Sequence, residues 1–454
     1  MNVDLLLSGG KVVTASGIVG CDVAIVGERI VGLLEHGHGV EARRVLDVSG
    51  RHVLPGVIDP HVHIGLGNGL AEWSTETASA ALGGVTTFLS FLMAGTSYLP
   101  IIEETRAAAA TSAYVDYGLH VVPSTAEHLA EMDAYLAEGI CSFKYFTSFR
   151  GDEGAYLGVA GTDDGLMFEY FRQVARRPGA IACVHPENIE VVWRLRDALR
   201  AAGRDGLAAW AESRPALVEV EAIARSMFFA RAAGCPLYLV HVSSALALQE
   251  IEVWRRRYPD ATVYVETCPH FLTHTSNDPL GSLGKVNPPL RTTSDNDALW
   301  SAIASGVVDT IGSDHVARRY EKKTGSIWSA SAGFPGTGAI LPVLLSEGFH
   351  KRGIPLSRIA EVSALNPARI MGLAPRKGAL EVGADADVVV VDLEAERKVD
   401  QGDFASAAAY TLYQGWSMRG WPVATIVRGT VVMTEGRVVG PPGHGRYVVR
   451  PTQR

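Results

Sequence analysis

The chain has 454 residues, with 41 Lys or Arg against 49 Asp or Glu and a formal net charge of -8. That length exceeds one small core and points to a large α/β domain with an appendage, or to two or three domains. Mild acidity without basic clusters excludes nucleic acid as a partner, and no apolar stretch is long and charge-free enough to span a bilayer.

The opening MNVDLLLSGG carries an acid where a secretory leader wants positive charge, so no leader is expected. Five cysteines (Cys21, Cys141, Cys183, Cys235, Cys268) are odd in number and scattered through apolar runs. They read as buried thiols in a reducing, cytoplasmic setting rather than a disulfide framework.

Both ends have β texture. From Asp4 to Val53, short Val/Ile/Leu runs alternate with turns, and the texture returns from Asp385 in ADADVVVVDL and VATIVRGTVVMTEGRVVG. Neither end has strands enough for a comfortable sheet alone. The expectation is one composite β-sandwich domain from residues 1–52 and 373–454, around a barrel of residues 53–372.

Between the ends, eight β-branched runs recur: VLPGVID, VTTFLSF, YGLHVVP, ICSFKYF, AIACVH, PLYLVHV, TVYVET and VDTIGSD. Most are followed by Ala-rich segments with helical spacing, such as IIEETRAAAATSAY. Eight such units in roughly 300 residues predict a (β/α)8 TIM barrel. The fold class is therefore α/β, a TIM barrel with a small β-sandwich domain built from both termini. A doubly wound sheet would want a Gly-rich turn after its first strand, and PGVIDPHVH is not one.

Functional side chains of such barrels stand at the C-terminal strand ends. The first strand ends in His61 and His63, which at i and i+2 share a face. The fourth carries Lys144, the fifth ends in His185, the sixth in His241 and the eighth in Asp314. One such residue at a strand end means little, but six in this register imply a shared ligand. His-rich N/O sites suit zinc, with manganese, iron or cobalt as substitutes.

Lys144 would repel a cation as an ammonium. Burial lowers a lysine pKa, and the neutral amine can take up carbon dioxide as a carbamate that bridges two metals. The plain alternative is a salt bridge beneath the rim. Two cations about 3.5–4 Å apart would acidify a shared water toward about pH 7. Asp314 would take the proton of the attacking hydroxide and deliver it to the leaving nitrogen. These parts suit metal-assisted cleavage of an amide.

In this order the residues resemble the amidohydrolase superfamily, and within it the cyclic amidohydrolases: hydantoinases, dihydropyrimidinases, allantoinases and dihydroorotases. The resemblance runs along the whole chain, through PGVIDPHVH, SFKYF, VHPEN, LVHVSS, ETCPHFL, NPPLR, GSDH, NPARIMGL and KGALEVGADADVVVVD. It implies a binuclear, usually zinc, centre on His61, His63, His185, His241 and Asp314, bridged by carboxylated Lys144. It also implies a small cyclic amide or ureide substrate and a homo-oligomer, dimer or tetramer.

Departures from the family patterns order the alternatives. Dihydroorotases resemble one another in an Arg two residues after the second histidine, where this chain has Gly65. Hydantoinases place a Tyr five residues after the lysine, and this chain has Phe149; Tyr145, Tyr156 or a backbone N–H would have to replace its hydroxyl. Losing such a donor costs on the order of 10²–10³ in rate. Allantoinases lack that Tyr, and ETCPHFL, with His270, is similar to theirs.

A hydantoinase or dihydropyrimidinase-like activity ranks first and allantoinase second, because Leu66, Phe149 and Phe334 suggest an apolar pocket for a ring substituent. By resemblance, Asn287 and the SAGFPGT loop, including Gly333, read the ring's amide edge, and His270 is a further substrate contact. RRYEKKTGSIWSASAGFPGT reads either as a mobile cover or as a solvated connection. His52, His120, His128, His274, His350 and His444 are expected to be structural, with His315 supporting its neighbour Asp314. A non-catalytic scaffold is disfavoured, since all six ligand positions hold competent residues.

Overall fold

The computed structural model describes residues 2–37, 39–155 and 161–450. Eight parallel strands form a closed barrel: Val57–His63, Val85–Leu92, Asp116–Val121, Ser142–Phe146, Ile181–His185, Leu237–Leu239, Val263–Thr267 and Thr310–Ile311. These are the eight apolar runs of the sequence, in order. The ring closes through a split eighth strand. Thr310 pairs beside Glu266 of the seventh strand, and after Gly312–Asp314 the short piece His315–Val316 pairs with the first strand, His315 beside Val62. Gly312 is required at the break. A Cβ there would stand 2.5 Å from the Glu266 carboxylate and 2.9 Å from the His61 Cβ.

Helices such as Glu72–Leu82, Asp164–Ala175, Ala216–Ala233 and Thr293–Ser305 lie outside the strands, with Trp73, Phe88, Phe143, Tyr170, Ile223 and Trp300 buried in the layer between. Local signals delimit them. Asp163 accepts from Leu166 N at the start of its helix. Thr292 and Asp295 form a capping box, and Gly306, at φ 88°, ends that helix in the left-handed conformation. Inside the barrel, Ile58, Leu89, Cys183, Tyr238, Met371 and Val448 form a second apolar cluster at the end away from the strand C-termini. No helix among the described residues is long and apolar enough to cross a membrane.

The sandwich has a four-stranded sheet from Asn2–Ser8, Asp22–Val26, Arg29–Leu34 and Glu41–Asp47. Its second sheet has seven strands and mixes the termini, with Lys11–Thr14, Gly17–Gly20 and His52–Pro55 beside Val388–Lys398, Ser417–Val427, Thr430–Thr434 and Arg437–Val438. Leu7, Val12, Val23, Ile25, Val53, Val388 and Ile426 fill the space between them. The C-terminal part is less uniform than its texture suggests. Tyr117 N donates to Arg446 O (3.0 Å) and Val448 N to Tyr117 O (2.7 Å), so the last described residues run along the third barrel strand. Arg450 donates to Ser142 Oγ at 2.7 Å. Strand texture is legible in a sequence, but the sheet a strand joins is not.

A buried ionic cluster joins the two units. Asp116 of the barrel pairs with Lys377 (2.7 Å) and with Arg428, and accepts from Arg446 N at 2.9 Å. Asp385 and Asp387 crowd the same ammonium, so the cation among these three carboxylates is Lys377 itself. Burial pushes the Asp116 carboxyl up, but Lys377 and Arg428 override it and hold it below its ordinary value. Breaking such a pair leaves a buried charge uncompensated. Asp116→Asn should therefore lower the unfolding free energy by about 3–5 kcal/mol, read from urea transitions. A depressed carboxyl stabilises above its unfolded pKa of about 3.9 and loses that contribution as pH falls through the folded value. The parent's acid weakening from this group should begin below about pH 4 and be missing in the variant.

Candidate active site

His61 and His63 leave the first strand on one face, both buried. His61 Nδ1 lies 2.7 Å from Glu266 Oε1. A carboxylate only accepts, so Nδ1 carries the hydrogen and Nε2 presents a lone pair. That Nε2 meets Lys144 Nζ at 2.8 Å and Asp314 Oδ1 at 3.1 Å, and His63 Nε2 lies 3.3 Å from the same oxygen. His61, His63 and Asp314 form one compact donor group, all within 4.8 Å.

The fifth and sixth strands supply a second group. His185 Nδ1 and His241 Nε2 are 2.8 Å apart. His185 Nε2 donates to Glu187 Oε2 (2.9 Å), leaving Nδ1 as the free nitrogen, and Arg214 holds Glu187 at 2.8 Å while lying 4.6 Å over the Trp210 ring. Burial alone would raise the Glu187 carboxyl, yet Arg214 and His185 hold it at about 2.

Two site residues sit in strained backbone, His241 at φ 42° and Asp314 at φ 51°, where side chains other than Gly are uncommon. Surrounding bonds determine both. His241 N donates to Glu266 Oε1 at 3.0 Å. Ser243 and Ser244 are tied to buried Glu219, which also contacts Arg291 at 3.4 Å. The LVHVSS, SRPALVEV and NPPLR blocks, far apart in sequence, thus meet at one anchor. Beside the break in the eighth strand, Asp59 of the first strand accepts from Ser313 N (3.0 Å) and from His61 N (3.1 Å).

The donor chemistry fits divalent cations. Burial pushes His63 down to about 3 and lowers His185 and His241 as well, so three neutral imidazoles face the cavity. His61 differs. Burial and Lys144 push it down, but Glu266 and Asp314 outweigh them and its pKa rises. With both its nitrogens beside carboxylates, the positive charge a proton brings there is one a metal cation can bring instead. Burial lowers Lys144 to about 8. Its amine lies 4.5 and 4.7 Å from the Phe91 and Phe146 ring centres.

His63, Lys144, His185, His241 and Asp314 open onto a cavity of about 300 Å³, lined also by Leu66, Met93, Phe149, Ile189, Asn287 and Gly333. Phe149 stacks on Phe146 at 4.1 Å. Asn287 Oδ1 is buried without a partner. Gly333 donates its N–H to Lys285 O at 3.0 Å. His270 and Phe334, expected as substrate contacts, are not part of this lining. His270 is buried with its ring against Phe334 at 4.9 Å, behind the cavity wall. Tyr145 cannot replace the missing hydroxyl, since its OH donates to Asp163 O at 2.7 Å. Tyr156 lies outside the described residues.

The segment from Arg318 to Thr337, read either as a mobile cover or as a solvated connection, is tied down by side-chain bonds to backbone carbonyls. Lys323 Nζ donates to Lys285 O and Ser331 O, both at 2.9 Å, and Lys285 Nζ to Ala330 O at 2.6 Å. Trp328 Nε1 reaches Arg204 O at 2.9 Å. His315 does support its surroundings, but through the loop: its Nδ1 accepts from Gly336 N (3.1 Å), and Nε2 lies 3.0 Å from Glu76. His120, His128, His274, His350 and His444 each meet a backbone carbonyl, in keeping with structural roles. Sequence reading overlooked Glu187, Glu266 and Asp59. An acid inside an apolar strand, as in VYVET, was the available signal.

The description Amidohydrolase family matches residues 52–432 of this chain. An L-hydantoinase of Paenarthrobacter aurescens is 33% identical over 98% of both chains. An allantoinase of Deinococcus radiodurans is 36% identical over 97% of this chain and 98% of its own. Among solved structures, a D-hydantoinase from a Bacillus species superposes with a TM-score of 0.91 at 32% identity, covering 99% of this chain and 100% of that one. A dihydropyrimidinase of Brevibacillus agri does so at 0.91 and 31%, covering 99% of each. Such a barrel with two donor groups defines a metal-dependent hydrolase. The chain belongs to the amidohydrolase family, in its cyclic amidohydrolase group.

Glu266 also accepts from Tyr238 OH at 2.8 Å, so one carboxylate orients His61 and anchors His241. Loss of such an outer partner costs about 10–100-fold in metal affinity. Glu266→Leu should weaken metal retention by about that factor, measured by competitive chelator titration.

Proposed function

We propose that the chain hydrolyses the ring amide of a hydantoin or dihydropyrimidine. The carrying observation is the convergence from five strands of His63, Lys144, His185, His241 and Asp314 on one cavity, with His61 directly behind Lys144 and Asp314. His61, His63 and Asp314 would hold one divalent cation, His185 and His241 a second, with Lys144 as a carbamate joining the two; zinc suits this donor set. Bound there, the pair would polarise the scissile carbonyl and acidify water.

The chain's own residues do the rest. Burial would raise the Asp314 carboxyl, but His61, His63 and His241 hold it well below its ordinary value. It is therefore a carboxylate at neutral pH and can accept the proton that water sheds on attacking the carbonyl. As the ring C–N bond breaks, Asp314 returns that proton to the departing nitrogen, giving a carboxylic acid and a free ureide or amide. Asn287, whose Oδ1 is buried without a partner, and Gly333 both line the cavity, which supports reading them as contacts to the ring's amide edge.

Allantoin is the second reading. Phe149 offers no hydroxyl, as expected of an allantoinase-like site, and the Deinococcus allantoinase is 36% identical. Further parts of the reading are a homo-oligomer and a cytoplasmic setting. Exposed Phe168, Phe228, Leu246 and Val253 on neighbouring helices support contact with a second copy, and five free, buried cysteines support the cytoplasm.

A panel of hydantoin, dihydrouracil, allantoin, dihydroorotate and simple cyclic imides, followed by loss of ring-amide absorbance, tests the reading. Turnover of a hydantoin or dihydropyrimidine supports it, and failure of every ring after metal loading overturns it. Lys144→Ala should bind less than one metal per chain and lose activity, with partial rescue by a small carboxylic acid; full activity with two metals would refute the bridge. With its pKa lowered to about 8, Lys144 gains neutral amine as pH rises toward that value. Recovery of metal-stripped protein in bicarbonate and zinc should accelerate from pH 6 to about pH 8 and then level off.

A further inference from the structure

Four residues beyond Asp314, Arg318 lines the cavity. Its Nη1 donates to Leu66 O at 2.7 Å and its Nε to Ala332 O at 3.3 Å. Leu66 follows the first strand and Ala332 the eighth, and both line the same cavity. The guanidinium therefore spans the gap between two loops that flank the site. Those two bonds use two of its five N–H groups.

No described carboxylate lies within ion-pair distance of Arg318. The other charged side chains beyond the donor groups are matched: Arg214 holds Glu187 at 2.8 Å, and Glu153 faces Arg196 at 3.6 Å. The same cavity wall carries apolar Leu66, Met93, Phe149, Ile189 and Val316. A cation held only by carbonyls in such a wall is most stable when an incoming group brings oxygen acceptors.

Building on the ring-opening reading, we propose that Arg318 selects the substituent carried by the substrate ring. The substituent it fits ends in planar oxygen acceptors, as a carboxylate or a ureide does. A flexible ammonium would not reproduce the fixed fork that grips such a group. The pocket is therefore amphipathic rather than apolar, with the fork reading the far end of a short side chain.

The test compares hydantoin-5-acetate, allantoin and 5-isobutylhydantoin, three rings with side chains of similar size, on the metal-loaded enzyme. The parent should have a higher kcat/KM for one of the first two than for the isobutyl compound; the reverse order overturns the proposal. Arg318→Met should raise KM for the favoured acceptor-bearing ring by about 10–100-fold, the worth of a charge-assisted hydrogen bond. Its kcat should stay within about threefold, and KM for 5-isobutylhydantoin should be unchanged or lower. An equal loss on all rings would make Arg318 a loop clamp only, and no change on any would remove it from the substrate's path. Arg318→Lys keeps the charge and should recover only part of the discrimination. Whether hydantoin-5-acetate or allantoin suffers more in Arg318→Met names the carboxylate or the ureide. If the parent opens none of these three rings but opens dihydrouracil, this proposal falls while the ring-opening reading stands; failure on dihydrouracil and the rest of the panel as well overturns that reading itself.

Discussion

Glu266 lies where three strands meet. From the seventh strand its carboxylate accepts the His61 Nδ1 hydrogen from the first, and from the sixth both the His241 amide and the Tyr238 hydroxyl. A carboxylate buried at this depth is costly unless its lone pairs are filled. Filling them fixes the tautomer of His61 and the backbone of His241 together. Gly312 belongs to the same constraint, because any side chain there would strike Glu266. Barrel closure and one histidine of each donor group thus rest on the same buried acid.

Around that acid the structure repeats one device. Several of the groups at the cavity are backed by a buried partner that fixes a side chain or the backbone that carries it. Glu187 and Arg214 do this for His185, Asp59 for the Ser313–Asp314 turn, and Glu219 with Arg291 for the segment after His241. Strain at His241 and Asp314 is tolerated because these partners leave the backbone no alternative. The Asp116–Lys377–Arg428 cluster uses the same chemistry without a functional face. There the ammonium occupies the space between three carboxylates that a metal could otherwise take. Three clustered carboxylates are therefore not a metal site until the nearest cation is counted.

The cavity wall combines two characters. Phe146, Phe149, Leu66 and Ile189 give it an apolar side. Arg318, Asn287 and Ser331 bring polar groups to the same wall. A small ring with a polar arm matches that pattern better than a purely hydrocarbon one.

The eight strands, the mixed-terminus sandwich and the clustering of His61, His63, Lys144, His185, His241 and Asp314 at one end of the barrel were legible in the sequence, because each depends on a local signal. Apolar runs mark buried strands, and a His, Lys or Asp at a run's end stands on the barrel rim. Other features came only with the tertiary structure. His270 has a suitable position in sequence yet turns behind Phe334, because the rotation of a short helix after the seventh strand leaves no periodic trace. Arg318 and Lys323 sit in a stretch that reads as solvated loop, and only packing decides that one faces the cavity while the other bridges buried carbonyls. The path of residues 446–450 along the barrel was hidden for the same reason. A sequence records which surfaces must be buried and which chemistry is carried, whereas contacts between residues hundreds of positions apart decide which partner buries them and which atom is left to react.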